Sequence, residues 1–206
     1  MSRSKVHIVV EGPTDEYVVK SILRSVGWEC GYVRGLKGKA YLLSQLSKYN
    51  EAARSANWLV VLDLDQDAVC APDFVRTILP NPAAGMLLRI PVRAIDAWIL
   101  ADRDHFARFL NISVENLPTN PDLEPNPKVS LINLAKKCRN ALREDIVPRP
   151  ESGRKEGIGY TGRMLEFIRH PLYPWRPEVA AENSDSLKRC LAALKSWQQI
   201  GYHDPD

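Results

Sequence analysis

Residues 5–20 read KVHIVVEGPTDEYVVK and residues 58–67 read WLVVLDLDQD. In each, an apolar run of strand length ends abruptly in acid. Val6, Ile8, Val9 and Val10 lead into Glu11, and Trp58 to Leu62 lead into Asp63, with Asp65 and Asp67 behind it. Short apolar runs bounded in this way predict buried strands. The first is followed by helical spacing over Thr14 to Val26, with Tyr17, Val18, Ile22 and Val26 on one face. Thr14 is the expected N-cap, and Asp15 and Glu16 sit at the positive end of the helix dipole.

Outward from these two stretches the alternation repeats. A short strand is expected around Gly31 to Arg34, an amphipathic helix over Lys39 to Ser55, a short helix over Pro72 to Leu79 and another strand over Met86 to Val92. Strands alternating with helices imply a parallel or mostly parallel sheet covered on both faces. From Ala94 the pattern turns helical. A helix over Ala94 to Leu110, broken at Asp102 to Asp104, leads into LPTNPDLEPNPK, whose four prolines in twelve residues mark a loop. Asn126 and Pro127 open a helix through KVSLINLAKKCRNALR. A polar loop and two more helices follow, over about Thr161 to Arg169 and Ser186 to Trp197. The expected architecture is therefore α/β: a Rossmann-like, mostly parallel sheet with flanking helices over residues 1–110, and a helical extension over 111–206 packed on it.

The 206-residue chain is 45% hydrophobic and 26% charged, as a globular chain should be, and its net charge of +3 is too small to announce a nucleic-acid binder by global field. A local basic patch stays open. Cys30, Cys70, Cys138 and Cys190 stand far apart without a CxxC pair, which argues against zinc and against a disulfide framework. No run has the length of a signal peptide or a membrane span, so a cytoplasmic protein with reduced thiols and no membrane partner is expected.

In open parallel sheets, ligands sit beyond the carboxyl ends of the strands. If the two strands are neighbours, Glu11, Asp63 and Asp65 meet there, and Asp15, one turn into the helix, leans toward the same spot. Such carboxylates repel unless a cation lies between them. A hard divalent ion such as Mg²⁺ suits, because it binds one or two carboxylates and keeps waters for a substrate phosphate. The competing reading is that these acids are N-caps or Asx-turn residues. Other motifs fail. DLDQDA lacks the glycine and the distal glutamate of an EF-hand loop, GLKGKA is not a P-loop, and neither HExxH nor GxSxG occurs.

VEGPTDE followed by VVLDLDQD resembles the Toprim domain, the α/β catalytic module of topoisomerases, DnaG-type primases, small ribonucleases that mature ribosomal RNA, and OLD-family nucleases. The signature glutamate and DxD map to Glu11, Asp63 and Asp65. RAIDAWILAD (93–102) and NSDSLKRCLAALKSW (183–197) are similar to stand-alone Toprim-like proteins of the DUF4276 type, relatives of the OLD nuclease domain, so the resemblance covers most of the chain. It implies Mg²⁺, with Mn²⁺ as a substitute, held by Glu11, Asp15, Asp63, Asp65 and Asp96. Asp96 stands where those relatives carry the longer glutamate, and capping or pairing with Arg93 is its alternative. The resemblance further implies phosphodiester hydrolysis of DNA or RNA, a role in phage defence, and a separately encoded ATPase as partner. A cation is expected to neutralise the charge developing on phosphorus. The loop SGRKEGIGYTGR offers Arg154, Lys155 and Arg163, with Lys155 taken for that role and a simple polar loop as the competing reading. Arg34, Lys37 and Lys39 are a second source of phosphate contacts. Asp67 and Asp102 are expected as solvated or capping residues, and Trp98 and Trp197 as core. From another class, the alternative is a catalytically weak Toprim-like regulatory or scaffold subunit of an ATPase-containing complex.

Overall fold

The computed structural model describes residues 5–138 and 141–199. Strands β1 (Lys5–Val10), β2 (Glu29–Gly35), β3 (Trp58–Val61) and β4 (Met86–Arg89) form one all-parallel sheet in the order β2-β1-β3-β4. Helices α1 (Pro13–Ser25), α2 (Lys39–Ala52) and α3 (Ala71–Ile78) connect them in turn. Both faces are covered, as a parallel sheet requires. Along β1 the alternation separates two cores: Val6, Ile8 and Val10 join α1 on one face, and Val9 joins Leu42, Leu46 and Phe74 of α2 and α3 on the other.

The described residues beyond β4 complete the α1 face. They comprise α4 (Ile95–Ala101), α5 (Arg103–Leu110), α6 (Pro127–Ala135), α7 (Ala141–Ile146), α8 (Tyr160–Ile168), α9 (Pro177–Asn183) and α10 (Asp185–Gln199). One apolar core runs from Ile8 and Leu59 through Trp98, Phe106 and Phe167 to Leu187 and Leu194. Buried indoles tie its layers together: Trp28 Nε1 donates to the Leu194 carbonyl at 3.1 Å, Trp98 Nε1 to Ser186 Oγ at 2.7 Å, and Trp175 Nε1 to the Trp98 carbonyl at 2.9 Å. Trp98 is wholly buried and Trp197 packs on Trp28. All four cysteines are free thiols, with Cys138 and Cys190 buried. Among the described residues no helix is long and apolar enough to cross a membrane.

Several local expectations need correction. Helix α1 begins at Pro13, so its N-cap is Gly12 rather than Thr14, and the Asp15 carboxylate takes the Gly12 N–H at 2.8 Å. The helix expected from residue 128 to 143 stops at Ala135, beyond which Cys138 turns inward and its thiol donates to the Leu110 carbonyl. Helix α9 was not anticipated; Pro177 occupies its first turn, where a missing N–H costs nothing. Asp102, expected as a solvated or capping residue, does stand at the N-cap position of α5, but its side chain is fully buried there and caps nothing. Arg176 supplies its backbone N–H, Nε and Nη2 to that carboxylate at 2.8, 3.0 and 2.6 Å, which compensates the charge.

Removing one member of a buried pair strands the other charge, typically at about 3–5 kcal/mol. Because the Arg176 side chain is itself 35% exposed, Arg176→Met should destabilise the protein by roughly 2–4 kcal/mol. Urea unfolding followed by far-UV circular dichroism checks this, and a loss under 1 kcal/mol would show that water replaces the guanidinium.

Candidate functional site

β1 and β3 lie side by side, His7 opposite Trp58 and Val9 opposite Val60, while β2 lies on the far side of β1. The chain thus leaves β1 toward one edge of the sheet and β3 toward the other, the topology at which open parallel sheets form a crevice between the carboxyl ends of their strands. Glu11 and Asp63 stand at its two lips. The Asp63 N–H donates to Glu11 Oε1 at 2.8 Å, and the Ile95 N–H, at the start of α4, donates to Asp63 Oδ1 at 2.9 Å. With the Gly12–Asp15 bond, each of the three carboxylates Glu11, Asp15 and Asp63 spends one oxygen on a backbone N–H. The second oxygen of each has no hydrogen bond among the described residues. Asp96, in the first turn of α4, is buried and accepts a hydrogen bond from the Tyr160 hydroxyl at the start of α8.

These groups act on one another. Burial, and then the charges of Asp15, Glu11, Asp96 and Asp65, push the Asp63 carboxyl well above its ordinary value. Asp15 is raised to about 7, chiefly by burial and then by Glu11 and Asp96, against the Gly12 hydrogen bond and Lys128. Burial also raises Glu11 and Asp96. Two lysines oppose this field. Lys128, at the start of α6, lies 4.9 Å over the Tyr160 ring, pairs with Glu156 at 2.8 Å, and feels the charges of Asp96 and Asp63. Lys39, at the start of α2, holds Asp65 at 2.8 Å and Asp67 at 2.6 Å and also donates to the Asp63 carbonyl at 2.6 Å.

Of the expected residues, Glu11, Asp15, Asp63 and Asp96 come together, with Asp15 and Asp96 buried and Glu11 and Asp63 half-buried. Asp65 stands at their rim, about half exposed, with a left-handed backbone (φ 50°) and its carboxylate turned to Lys39. Arg93 is not the partner of Asp96; its Nη1 donates to the carbonyls of Asp65 and Ala68, fixing the rim loop. Lys155 is exposed and lines a separate hollow with Ile132 and Arg143, and no hydrogen bond or ion pair joins it to the acids among the described residues. Arg163 is spent on Asp145 and Glu166. The lysine that faces the acids from the helical layer is Lys128, which the sequence presents only as a polar residue opening a helix.

Among the described residues, no three His, Cys, Asp or Glu side chains form a ready-made metal cage. Mg²⁺ needs fewer, since it takes one or two carboxylates and retains waters. An all-oxygen donor set whose members are each oriented by one backbone N–H, with the other oxygen unengaged, suits such an ion. The capping reading is also met in part, because Asp15 and Asp63 do serve the first turns of α1 and α4. No protein-family model, curated protein or solved structure matches the chain.

A carboxyl whose folded pKa lies above its unfolded value favours the folded state while protonated, and that contribution fades as pH rises through the folded pKa. In chelator, stability should therefore fall between about pH 4, where free aspartate titrates, and pH above about 7, the Asp15 value. Asp15→Asn and Asp63→Asn, whose amide oxygens still accept the N–H bonds, should flatten this fall. Asp63→Ala should instead lose about 1 kcal/mol of capping. Thermal melts from pH 5 to 9 read both effects; a flat wild-type profile would mean that these acids are not mutually buried.

Proposed function

We propose that the protein is a metal-dependent phosphodiesterase acting on DNA or RNA, a nuclease of the Toprim type. One observation carries this reading: Glu11 and Asp63 follow adjacent parallel strands at the switch point of the sheet, and Asp15, Asp96 and the rim Asp65 surround them. The ligands would be Glu11, Asp15 and Asp63, with Asp96 behind them and Asp65 at the rim. A bound Mg²⁺ or Mn²⁺ would lower the pKa of an attacking water and neutralise charge on the scissile phosphate. The chain's own part is positional. Backbone N–H groups of Gly12, Asp63 and Ile95 orient the carboxylates, and Tyr160 fixes Asp96. Lys128 brings the cation that the developing phosphorane needs. The resemblance adds phage defence and a separately encoded ATPase to the proposal.

A second reading, the non-catalytic regulatory subunit, draws on one contact. Lys39 already bridges Asp65 and Asp67, as a built-in cation would in a site that had given up metal at its rim.

Purified protein incubated with supercoiled plasmid, single-stranded DNA and RNA should cut at least one of them in Mg²⁺ or Mn²⁺ and none in chelator, and Asp63→Asn should abolish cutting. A folded wild-type protein that neither cuts nor binds Mn²⁺ leaves the regulatory reading. Lys128→Met should lower the rate by about a hundredfold, in the range for loss of one preorganised charge-stabilising group. Lys155→Met should leave the rate within about threefold; the reverse ranking would return the role to the 152–163 loop.

A further inference from the structure

The acids are not the whole of this end of the sheet. At the open edge, β2 presents Tyr32, 63% exposed, and the segment after it presents Leu36, Lys37 and Tyr41. Cations lie against both tyrosine rings: Arg34 is 5.1 Å from the Tyr32 centroid and Lys37 is 4.9 Å from that of Tyr41. Neither Arg34 nor Lys37 has an acidic partner among the described residues, whereas Arg54, Arg76, Arg163 and Arg189 each do. The positive field is felt locally, since burial and then Arg34 and Lys5 push the His7 imidazole below its ordinary pKa.

Tyr32 is held in place. Its N–H donates to His7 Nδ1 at 2.9 Å and its ring stacks on the imidazole at 5.0 Å, with 25° between planes. Gly31 makes the room: a Cβ there would lie 2.4 Å from the same imidazole. The edge also leads to the crevice. From Tyr32 to Gly35 is about 10 Å at ~3.3 Å per residue. At Gly35 (φ 85°) a side chain would strike the Val10 carbonyl, so the chain can turn closely over β1. There the N–H groups of Leu36 and Gly38 donate to the carbonyls of Val10 and Glu11 at 2.9 and 3.0 Å. One residue further, Lys39 reaches the rim acids.

Exposed aromatics interleaved with unpaired cations are how proteins hold single strands. The rings stack on bases and the cations track phosphates, and a duplex cannot use the rings because its base faces are already covered. We propose that the β2 edge, from Tyr32 through Arg34 and Lys37 to Tyr41, is a track that binds single-stranded nucleic acid and delivers it to the carboxylate crevice. This rests on the hydrolase reading for its ligand class. It makes the substrate of that site a single strand or an unpaired segment, with Tyr32 and Tyr41 stacking on bases and Arg34 and Lys37 on the backbone. The competing view is that Arg34 and Lys37 only protect an edge strand from pairing with other chains.

The test measures binding without cleavage. Fluorescence anisotropy in EDTA follows labelled dT20, U20 and a 20-base-pair duplex. Wild-type protein should prefer the single strands. Tyr32→Ala/Tyr41→Ala should weaken that binding at least tenfold, from the loss of two stacking rings, whereas Tyr32→Phe/Tyr41→Phe, which keeps the rings, should stay within about twofold. Arg34→Ala/Lys37→Ala should reduce the slope of log affinity against log salt by about 1.4, two phosphate contacts on a single strand. Melting temperatures identify any variant that fails to fold, and if the tyrosine-to-alanine pair does, the salt slope of Arg34→Ala/Lys37→Ala decides. The DNA and RNA arms name the strand. Absence of single-strand binding, equal binding of duplex, or affinities unchanged in the alanine variants would overturn the track. Because chelator removes turnover, binding lost in the alanine pair supports the track even if metal-dependent cutting is never found, and cutting with unchanged binding sinks the track while the hydrolase reading stands.

Discussion

The parallel pairing of β1 with β3 is the constraint from which the site follows. With His7 opposite Trp58, the two strands finish at the same level, and the Asp63 N–H falls within reach of the Glu11 carboxylate. The helix that follows β1, α1, and the helix that follows β4, α4, then start close to that seam, and their first turns present Asp15 and Asp96 to it. Burying one carboxylate is costly, and setting the buried Asp15 and Asp96 beside the half-buried Glu11 and Asp63 adds mutual repulsion to desolvation. The fold tolerates them by tying one oxygen of each to a donor: the N–H groups of Asp63, Gly12 and Ile95, and the hydroxyl of Tyr160.

The helical part of the chain supplies what the sheet cannot. Tyr160 and Lys128 come from the starts of α8 and α6, far from the sheet in sequence, and meet Asp96 from the side opposite the strands. Their positions depend on the proline-rich stretch before α6, which is ordered. Asp122 in that stretch accepts from the Ser186 N–H and the Ser184 hydroxyl, both at 2.8 Å, and so pins it to the start of α10. Since α10 in turn receives the Trp28 indole at the base of β2, the helical layer is braced against the sheet from both ends. That bracing lets a lysine from α6 keep a fixed place over a tyrosine from α8.

The sheet was legible because its strands are short, apolar and bounded by turn signals, and because the acids stand immediately after them. Glu11, Asp15, Asp63 and Asp65 could be grouped from this, given that the two strands are neighbours, whereas Asp96 joined them only through the resemblance to OLD-type relatives. Lys128 could not be grouped at all. It is one of many lysines, and only the tertiary approach of α6 to α4 distinguishes it from Lys155. Asp102 was only partly legible for a related reason: its place at a helix start could be expected, but nothing near it in sequence announces that Arg176 arrives from a distant turn to neutralise it. The N-cap of α1 was misjudged by two residues because a proline at the first helical position moved the start to Gly12, and Asp15 does the capping from inside the helix.

The two lysines divide the acids into an inner and an outer set. Lys128 stands behind the inner four and is itself shared with Glu156, so it tempers their charge without filling the crevice. Lys39 is committed to the outer pair, Asp65 and Asp67, and draws both toward α2. Asp65 could turn inward only by giving up Lys39, and its left-handed backbone sits on a loop that Arg93 fixes through the carbonyls of Asp65 and Ala68. Lys39 would keep Asp67 and the Asp63 carbonyl, so its ammonium stays at the rim, beside the edge of β2, whichever way Asp65 turns. The rim lysine is thus fixed by several acceptors at once, and no single side-chain movement frees the cation that stands between the edge of β2 and the acids.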